Sequence, residues 1–427
     1  MSAAGAVEHA LARLRPAGAA LRARPAAAVH DALADVLDAW SAPDSPWQSA
    51  LAAELPEPTG FSPQTLREGL ARGLAGYTGT ALRALVRSEL GGPETLDATG
   101  RRRVHGFETT ATVLGGALPL PALVALLAPL ALRSPVLVKP AVYDPSTARL
   151  FARSLAERDP LLGACVEIVD FRRDDAAAMA ALGRADCVVA TGSDAAVAAI
   201  GAAVAPSRRF VAHGHRVSLT LLGPEATRGA ACEHHAAAIA LDVALWDQLG
   251  CLSPVSVTVA DPAAGAADRV AEALGAALAR LETSMPRGRI APAAAAAIVD
   301  ERAQAEVRAA GGLQVRVLAS PGTSWTVVRE ADAQPRPAPL HRFVRVHPAA
   351  DPACAVAALQ SRHPPLAAVA IAGFGAAEAA LASRLLELGA SRVCAPGALQ
   401  TPPLAWPRGG FGVLTPLARH SSDERTL

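Results

Sequence analysis

The sequence predicts an α/β protein of two doubly wound lobes with a helical N-terminal segment. From about residue 101, short apolar runs alternate with Ala-rich helical stretches, the spacing of parallel sheets covered by helices on both faces. The 427 residues exceed what one hydrophobic core organises, so two lobes are expected. Residues 1–95 carry Ala/Leu/Arg periodicity, which reads as helix.

Within that segment, loops fall at residues 41–46 and 55–60, and residues 65–90 return to an amphipathic helical pattern. The uncharged stretch 109–132 is long enough to span a bilayer. Pro119, Pro121 and Pro129, with Gly115 and Gly116, break it into loop, helix and strand of a lobe interior. Arg101-Arg102-Arg103 reads as a solvated turn. A strand at 134–140 ends at Lys139-Pro140, followed by a helix at 145–158 and a strand at 165–171. Residues 179–182 belong to a helix; the strand 186–190 runs into Thr191-Gly192-Ser193 and a new helix, and 210–213 makes a further strand. A helix leads from 233 towards Cys251. Strands at 255–259, 323–329 and 343–347 follow, with helices at 263–283 and 292–310, where Pro292 in the first turn is tolerated. Residues 334–339 form a stiff, Pro-rich surface connection. The resulting division is 1–95, 96–232, 233–400 and a C-terminal segment 401–427.

Composition excludes several classes. Hydrophobic residues make up 51%, but much of this is Ala, which favours helix and adds little burial area. Lys plus Arg at 40 against Asp plus Glu at 39 leaves +1, with no basic stripe for nucleic acid. Six cysteines without a C-x-x-C pair, and an N-terminus without a basic segment and apolar signal core, predict a reduced, cytoplasmic protein without a membrane span. His234-His235 beside Cys232 and Glu233 point in different directions on a helix, so no metal site is expected.

Three features carry candidate chemistry. Cys251, in Asp247-Gln248-Leu249-Gly250-Cys251-Leu252-Ser253-Pro254, is a thiol in a turn before a strand, where a substrate carbonyl can reach it. Thr191-Gly192-Ser193-Asp194 joins a strand to a helix N-terminus, which favours an anionic group or polarised carbonyl. Lys139 ends an apolar strand at the rim where ligands bind in open α/β sheets. The plain alternatives are a structural thiol, helix capping by Ser193 or Asp194, and a solvated strand end. A G-x-G-x-x-G fingerprint is absent from the strand-to-helix turns.

Along the chain the three features follow in the order Lys139-Pro140, Thr191-Gly192-Ser193, then Cys251, and in this order they resemble the aldehyde dehydrogenase superfamily, and within it the LuxC-type fatty acyl-CoA reductases. The residues behind the resemblance are Pro135-Val136-Leu137-Val138-Lys139-Pro140, Ala190-Thr191-Gly192-Ser193-Asp194, His213-Gly214-His215-Arg216-Val217-Ser218, the segment 247–254, and Pro396-Gly397 through Pro402-Pro403-Leu404-Ala405-Trp406. The similarity runs over about residues 100 to 420. It implies that residues 96–232 bind a nicotinamide cofactor, with Lys139 on the adenosine ribose and Thr191, Gly192 and Ser193 beneath it. It also implies that residues 233–400 are catalytic, with Cys251 attacking the carbonyl and Glu330 as a cofactor-ribose carboxylate.

The implied reaction is reduction of an acyl-CoA or acyl-carrier thioester to an aldehyde through an acyl group on Cys251. Water-activating relatives carry a Glu upstream of the Cys; residues 211–218 contain none, which favours thioester reduction over aldehyde oxidation. His215 is the candidate for proton transfer. Family members generally carry Gly-Asn-x-Pro before the Lys-Pro strand. Here Gly115-Gly116-Ala117-Leu118-Pro119 puts Ala117 at the Asn position, with one oxyanion donor missing. Val142, where oxidising relatives often place a carboxylate, favours NADPH, with NADH the alternative. The other readings are a CoA-acylating aldehyde dehydrogenase working oxidatively, and a weakened acyl-binding or scaffold subunit. The resemblance further implies a homo-oligomer and an acyl-activating partner enzyme.

Overall fold

A computed structural model describes residues 1–99 and 102–422, the Arg102 side chain excepted. The chain separates into two compact units, one of residues 1–59, 70–215 and 403–427, the other of residues 60–69 and 216–402. Strand β1 (Arg102–Gly106) pairs antiparallel with a C-terminal strand, Ala418–Ser422. Arg102 and Arg103 thus open a strand where the sequence suggests a turn, because residues 418–422 supply it with a partner; Arg101 lies outside the described residues.

The first unit is built on a parallel sheet of β2 (Thr110–Val113), β3 (Val136–Lys139), β4 (Val166–Ile168), β5 (Cys187–Thr191) and β6 (Arg209–His213), in the order β4-β3-β2-β5-β6. Period-two alternation sends Ala111 and Val113 to one face. There they pack with Leu137, Val188 and Ala190 under Val7, Leu11 and Leu14 of the helix Ala3–Arg22 and Leu182 of the helix Ala176–Leu182. The N-terminal helix therefore completes this core. Its apolar residues recur at three- and four-residue spacing, the stripe a sheet-covering helix needs. The helix Pro119–Ala131 lies against β2 and β3. Among the described residues no helix is long and apolar enough to cross a membrane, and the stretch 109–132 resolves into β2, a loop and this helix.

The second unit holds β7 (Val217–Leu222), β8 (Pro254–Ala260), β9 (Arg316–Ala319), β10 (Thr326–Arg329), β11 (Phe343–Ala349), β12 (Leu366–Ala372) and β13 (Val393–Cys394), ordered β13-β12-β7-β8-β11-β10-β9. All pairs are parallel except the edge pair β9–β10. One face packs on the helices Gly229–Ala244 and Ala266–Ser284 through Ile239, Val270 and Leu274. The other packs on Pro352–Arg362 and Glu378–Glu387 through Leu359, Leu381 and Leu385. Helices on both faces make this a doubly wound sheet, as the sequence predicts.

Two buried turns in this unit hold an uncommon backbone. Trp246, Asp247 and Gln248 have φ of 57, 47 and 65°, and Leu340, His341 and Arg342 have φ of 66, 57 and 67°. None is a glycine, and left-handed backbone costs such residues roughly 1–2 kcal/mol each. The two turns are tied to each other. Arg342 donates to Asp247 Oδ1 from Nε at 2.9 Å and is paired with it at 2.7 Å from its terminal nitrogen. The Gln248 amide donates to Pro254 O and Phe343 O and accepts from the Phe343 N–H. Asp247 Oδ2 also accepts from the Gly288 N–H at 2.9 Å. Burial pushes the Asp247 carboxyl upward against the pull of Arg342.

Replacing Arg342→Leu leaves a buried carboxylate without its cation. The expected loss is about 3–5 kcal/mol of unfolding free energy, read as a lower urea midpoint; an unchanged midpoint would mean that the pair does not hold the turns.

Candidate functional site

In the first unit the chain lays β2, β3 and β4 outward to one side and then adds β5 and β6 on the other. The winding reverses between β2 and β5, and open α/β sheets bind ligands at the carboxyl ends of strands at such a point. The expected residues line that edge. Val113 stands in register with both Lys139 and Ala190, so Lys139, the loop after β2 and the Thr191-Gly192 turn end neighbouring strands. A side chain at Gly115 would place its Cβ 2.5 Å from Thr191 O, so the two loops meet only because this residue has none. Gly116, at φ +88°, faces open space.

Lys139 is 4% exposed, which removes the solvated-strand-end reading. Its ammonium makes one weak hydrogen bond, 3.4 Å to Pro140 O, and lies over the Phe171 ring at 5.4 Å. Burial pulls it below the usual lysine range, with Asp170 opposing. An ammonium has three protons to donate, and this one retains capacity that a ligand bearing hydroxyls or phosphate oxygens would use.

The Thr-Gly-Ser turn is also a helix cap. Ser193 Oγ accepts from the Ala196 N–H at 3.3 Å, starting the helix Asp194–Ala202, and the Gly192 N–H donates to His213 O at 3.2 Å. Asp194 Oδ1 accepts from the His215 N–H at 2.7 Å, and a Cβ at Gly214 would lie 2.3 Å from that same oxygen. The Ser193 hydroxyl thus caps one N–H of the helix N-terminus, while the Asp194 carboxylate ties the start of the helix to the loop at His215. The His215 ring is exposed.

In the second unit Cys251 lies half-buried before β8, at the amino end of the sheet. Its turn is pinned at four points. Ser218 Oγ donates to Cys251 O at 2.7 Å, and the Ser253 N–H donates to Gly250 O at 3.0 Å. The Gln400 amide donates to Ser253 Oγ at 3.0 Å, and Gln248 holds Pro254 O at 2.9 Å. Burial pushes Cys165 and Cys187 up to about 12 and Cys394 up to about 11, and it raises Cys232. The exposed Cys354 is raised by its hydrogen bond to Asp351.

Glu330 follows β10, at the carboxyl end of the same sheet and so at the opposite end from Cys251. It is completely buried. Arg345 binds Oε1 at 2.5 Å, Arg308 binds both oxygens at 3.0 and 3.1 Å, and Arg336 lies at 3.7 Å. Three guanidiniums from its own unit occupy the carboxylate, so the ribose-binding role expected of it is not carried forward. His234 and His235 sit on the helix Gly229–Ala244 with ring centroids 5.2 Å apart. Of the residues that frame the Cys251 turn, Asp247, Gln248, Ser218 and Gln400 lie inside the sequence segments quoted above. Arg342 carries no local signal.

The acyl-CoA reductase (LuxC) family model matches residues 22–420. No curated protein matches the sequence significantly. Solved aldehyde dehydrogenases share the fold. An NAD-dependent benzaldehyde dehydrogenase from Corynebacterium glutamicum has a TM-score of 0.73 at 15% identity, covering 97% of this chain and 89% of its own. Aldehyde dehydrogenase 21 from Physcomitrella patens, in complex with the reaction product succinate, has 0.72 at 15%, covering 98% and 90%. An indole-3-acetaldehyde dehydrogenase in complex with NAD+ has 0.71 at 15%, covering 98% and 88%.

Behind the Cys251 turn, Asp242 Oδ2 accepts from the Gly397 N–H at 2.6 Å, while Oδ1 is buried without a partner. Gln400, which holds Ser253, also donates to Asp242 O at 3.0 Å. Burial pushes the Asp242 carboxyl up to about 7. Between the unfolded value near 3.8 and about 7, the folded chain keeps a proton that the unfolded chain has lost, so stability falls as pH rises through this window. Asp242→Asn retains an acceptor for Gly397 without the charge. It should gain stability over the parent from pH about 4 to about 7, by at most about 4 kcal/mol, and then level off. Urea denaturation across that range checks this; a difference independent of pH would contradict it.

Proposed function

The chain belongs to the LuxC acyl-CoA reductase family and is an oxidoreductase, and from that premise we propose that it reduces an acyl-CoA or acyl-carrier thioester to an aldehyde through an acyl group carried on Cys251. The observation that carries this proposal is the Cys251 turn: a half-buried thiol before a strand, in a turn pinned at four points.

The chain's own residues account for the acyl transfer. The Cys251 thiolate forms a carbon–sulfur bond to the thioester carbonyl, and the CoA sulfur leaves with the electron pair of the bond that breaks. Charge passing through the carbonyl oxygen calls for backbone N–H donors at the turn. Ala117 brings no side-chain donor to that task, and no Glu in residues 211–218 activates water against the acyl group. We assign to His215, backbone-tied to Asp194 with its ring exposed, the transfer of a proton.

A nicotinamide cofactor supplies the hydride of this reaction when bound. The residues of the first unit fit such a group. Lys139 holds unused donors at the carboxyl end of β3, and Thr191 ends β5 on the other side of β2, with Gly192 following it. Because the Ser193 hydroxyl accepts from the Ala196 N–H, Ser193 would serve by shaping the turn. NADPH is supported by Val142, neutral and 76% exposed just beyond Lys139, where a carboxylate would repel a 2′-phosphate. A reduced cytoplasmic setting suits the six cysteines. Assembly as a homo-oligomer beside an acyl-activating enzyme completes the proposal.

With a panel of acyl-CoAs and NADPH, the parent should consume reduced cofactor and, without cofactor, gain the acyl mass on Cys251. Cys251→Ala should do neither; a variant that reduces acyl-CoA as fast as the parent would overturn the mechanism. Lys139→Met should weaken NADPH binding by about tenfold or more, as loss of charge-assisted hydrogen bonds does, without lowering the melting temperature of the cofactor-free protein, because the buried ammonium is poorly solvated. Fluorescence titration and thermal melts give the two values, and unchanged affinity would exclude Lys139 from the cofactor site.

A further inference from the structure

We propose that Ser218 is a positioning residue for Cys251, its hydroxyl setting the peptide plane from which the thiol is presented. The inference rests on Cys251 being the acyl carrier. Ser218 is fully buried at the amino end of β7. Its hydroxyl donates to Cys251 O at 2.7 Å and accepts from the Ala368 N–H at 3.2 Å.

The strand registers explain why a side chain is needed there. Along β7 and β8, Ser218 pairs with Pro254 and Thr220 with Val257, so β8 carries one extra residue. Along β7 and β12, Val217 pairs with Leu366 and Leu219 with Val369, so β12 carries one extra residue at the same level. Each bulge leaves ladder groups without their regular partners. One hydroxyl links the β12 bulge to the turn that leads into β8, receiving the N–H of Ala368 within the bulge and directing its proton to the carbonyl of Cys251. A carbonyl held in one direction fixes the adjoining peptide plane and so the line along which Cys251 Cβ points. Thioester attack depends on that line, because displacing a reacting atom by about 1 Å can cost about 100-fold in rate.

Ser218→Ala would remove the bridge but also strand a buried N–H, so a control of matched cost is needed. Thr227→Val provides it. Thr227 is equally buried, its hydroxyl is bonded to Asp261 Oδ2 at 2.5 Å, and it follows the carboxyl end of β7, away from the nucleophile turn. The measurement is the rate of acyl-adduct formation at Cys251, by peptide mass without cofactor, using the acyl-CoA that labels the parent fastest. Alkylation of the same thiol by iodoacetamide is followed alongside. Ser218→Ala should acylate about tenfold or more slowly than Thr227→Val, with alkylation within about threefold of the parent, and Ser218→Thr, which restores the hydroxyl, should recover most of the acylation rate. If Ser218→Ala does not fold, Ser218→Cys, with similar volume and a weaker donor, replaces it in the comparison. Acylation equal to that of Thr227→Val, or no recovery with Thr, overturns the inference while leaving the acyl-Cys251 proposal standing. A parent that forms no adduct at Cys251 removes that proposal and this inference together.

Discussion

The turn that carries Cys251 depends on the Asp247–Arg342 pair. Six residues in two turns hold left-handed backbone without a glycine among them, a conformation that neither segment would keep alone. A buried ion pair is a weak source of net stability, because desolvation offsets most of its attraction. What it supplies here is a cross-link: each turn satisfies the other's buried charge, while Gln248 joins the first to the backbone of β11 as a strand neighbour would. Cys251 follows three residues after Gln248, so its place before β8 is set by those bonds more than by local propensity.

The two units use their polar groups in opposite ways. At the carboxyl edge of the first sheet Lys139 is buried with donors to spare, and the loops that end the strands beside it carry Gly115, Gly116 and Gly192. At the carboxyl edge of the second sheet Glu330 is fully committed to arginines and has nothing left to offer. A buried charge without full compensation is costly to keep, and such groups concentrate at binding sites. A buried charge with complete compensation is a structural joint. Both residues end apolar strands, and only the surroundings tell them apart.

That distinction marks where the sequence stops being informative. The strand ending at Lys139, the Thr191-Gly192-Ser193 turn and the thiol of Cys251 are legible because strand, turn and helix signals follow one another within a few residues. Strand β12 was hidden because Leu366-Ala367-Ala368-Val369-Ala370-Ile371-Ala372 is buried on both faces and Ala-rich, so it lacks alternation and imitates helix. The bridging role of Ser218 needs Cys251 and Ala368, 33 and 150 residues away. The arginines around Glu330 come from positions 308, 336 and 345, and no local pattern announces them. The left-handed turns lacked the Gly or Asn that ordinarily signals such backbone.

The surroundings of the other five cysteines bear on what would become of an acyl group on Cys251. Thioesters migrate between sulfurs through attack by a thiolate. Burial raises Cys165, Cys187, Cys232 and Cys394, and a hydrogen bond to Asp351 raises the exposed Cys354. Each shift disfavours the thiolate, so the chain's own thiols compete weakly for an acyl cargo held on Cys251.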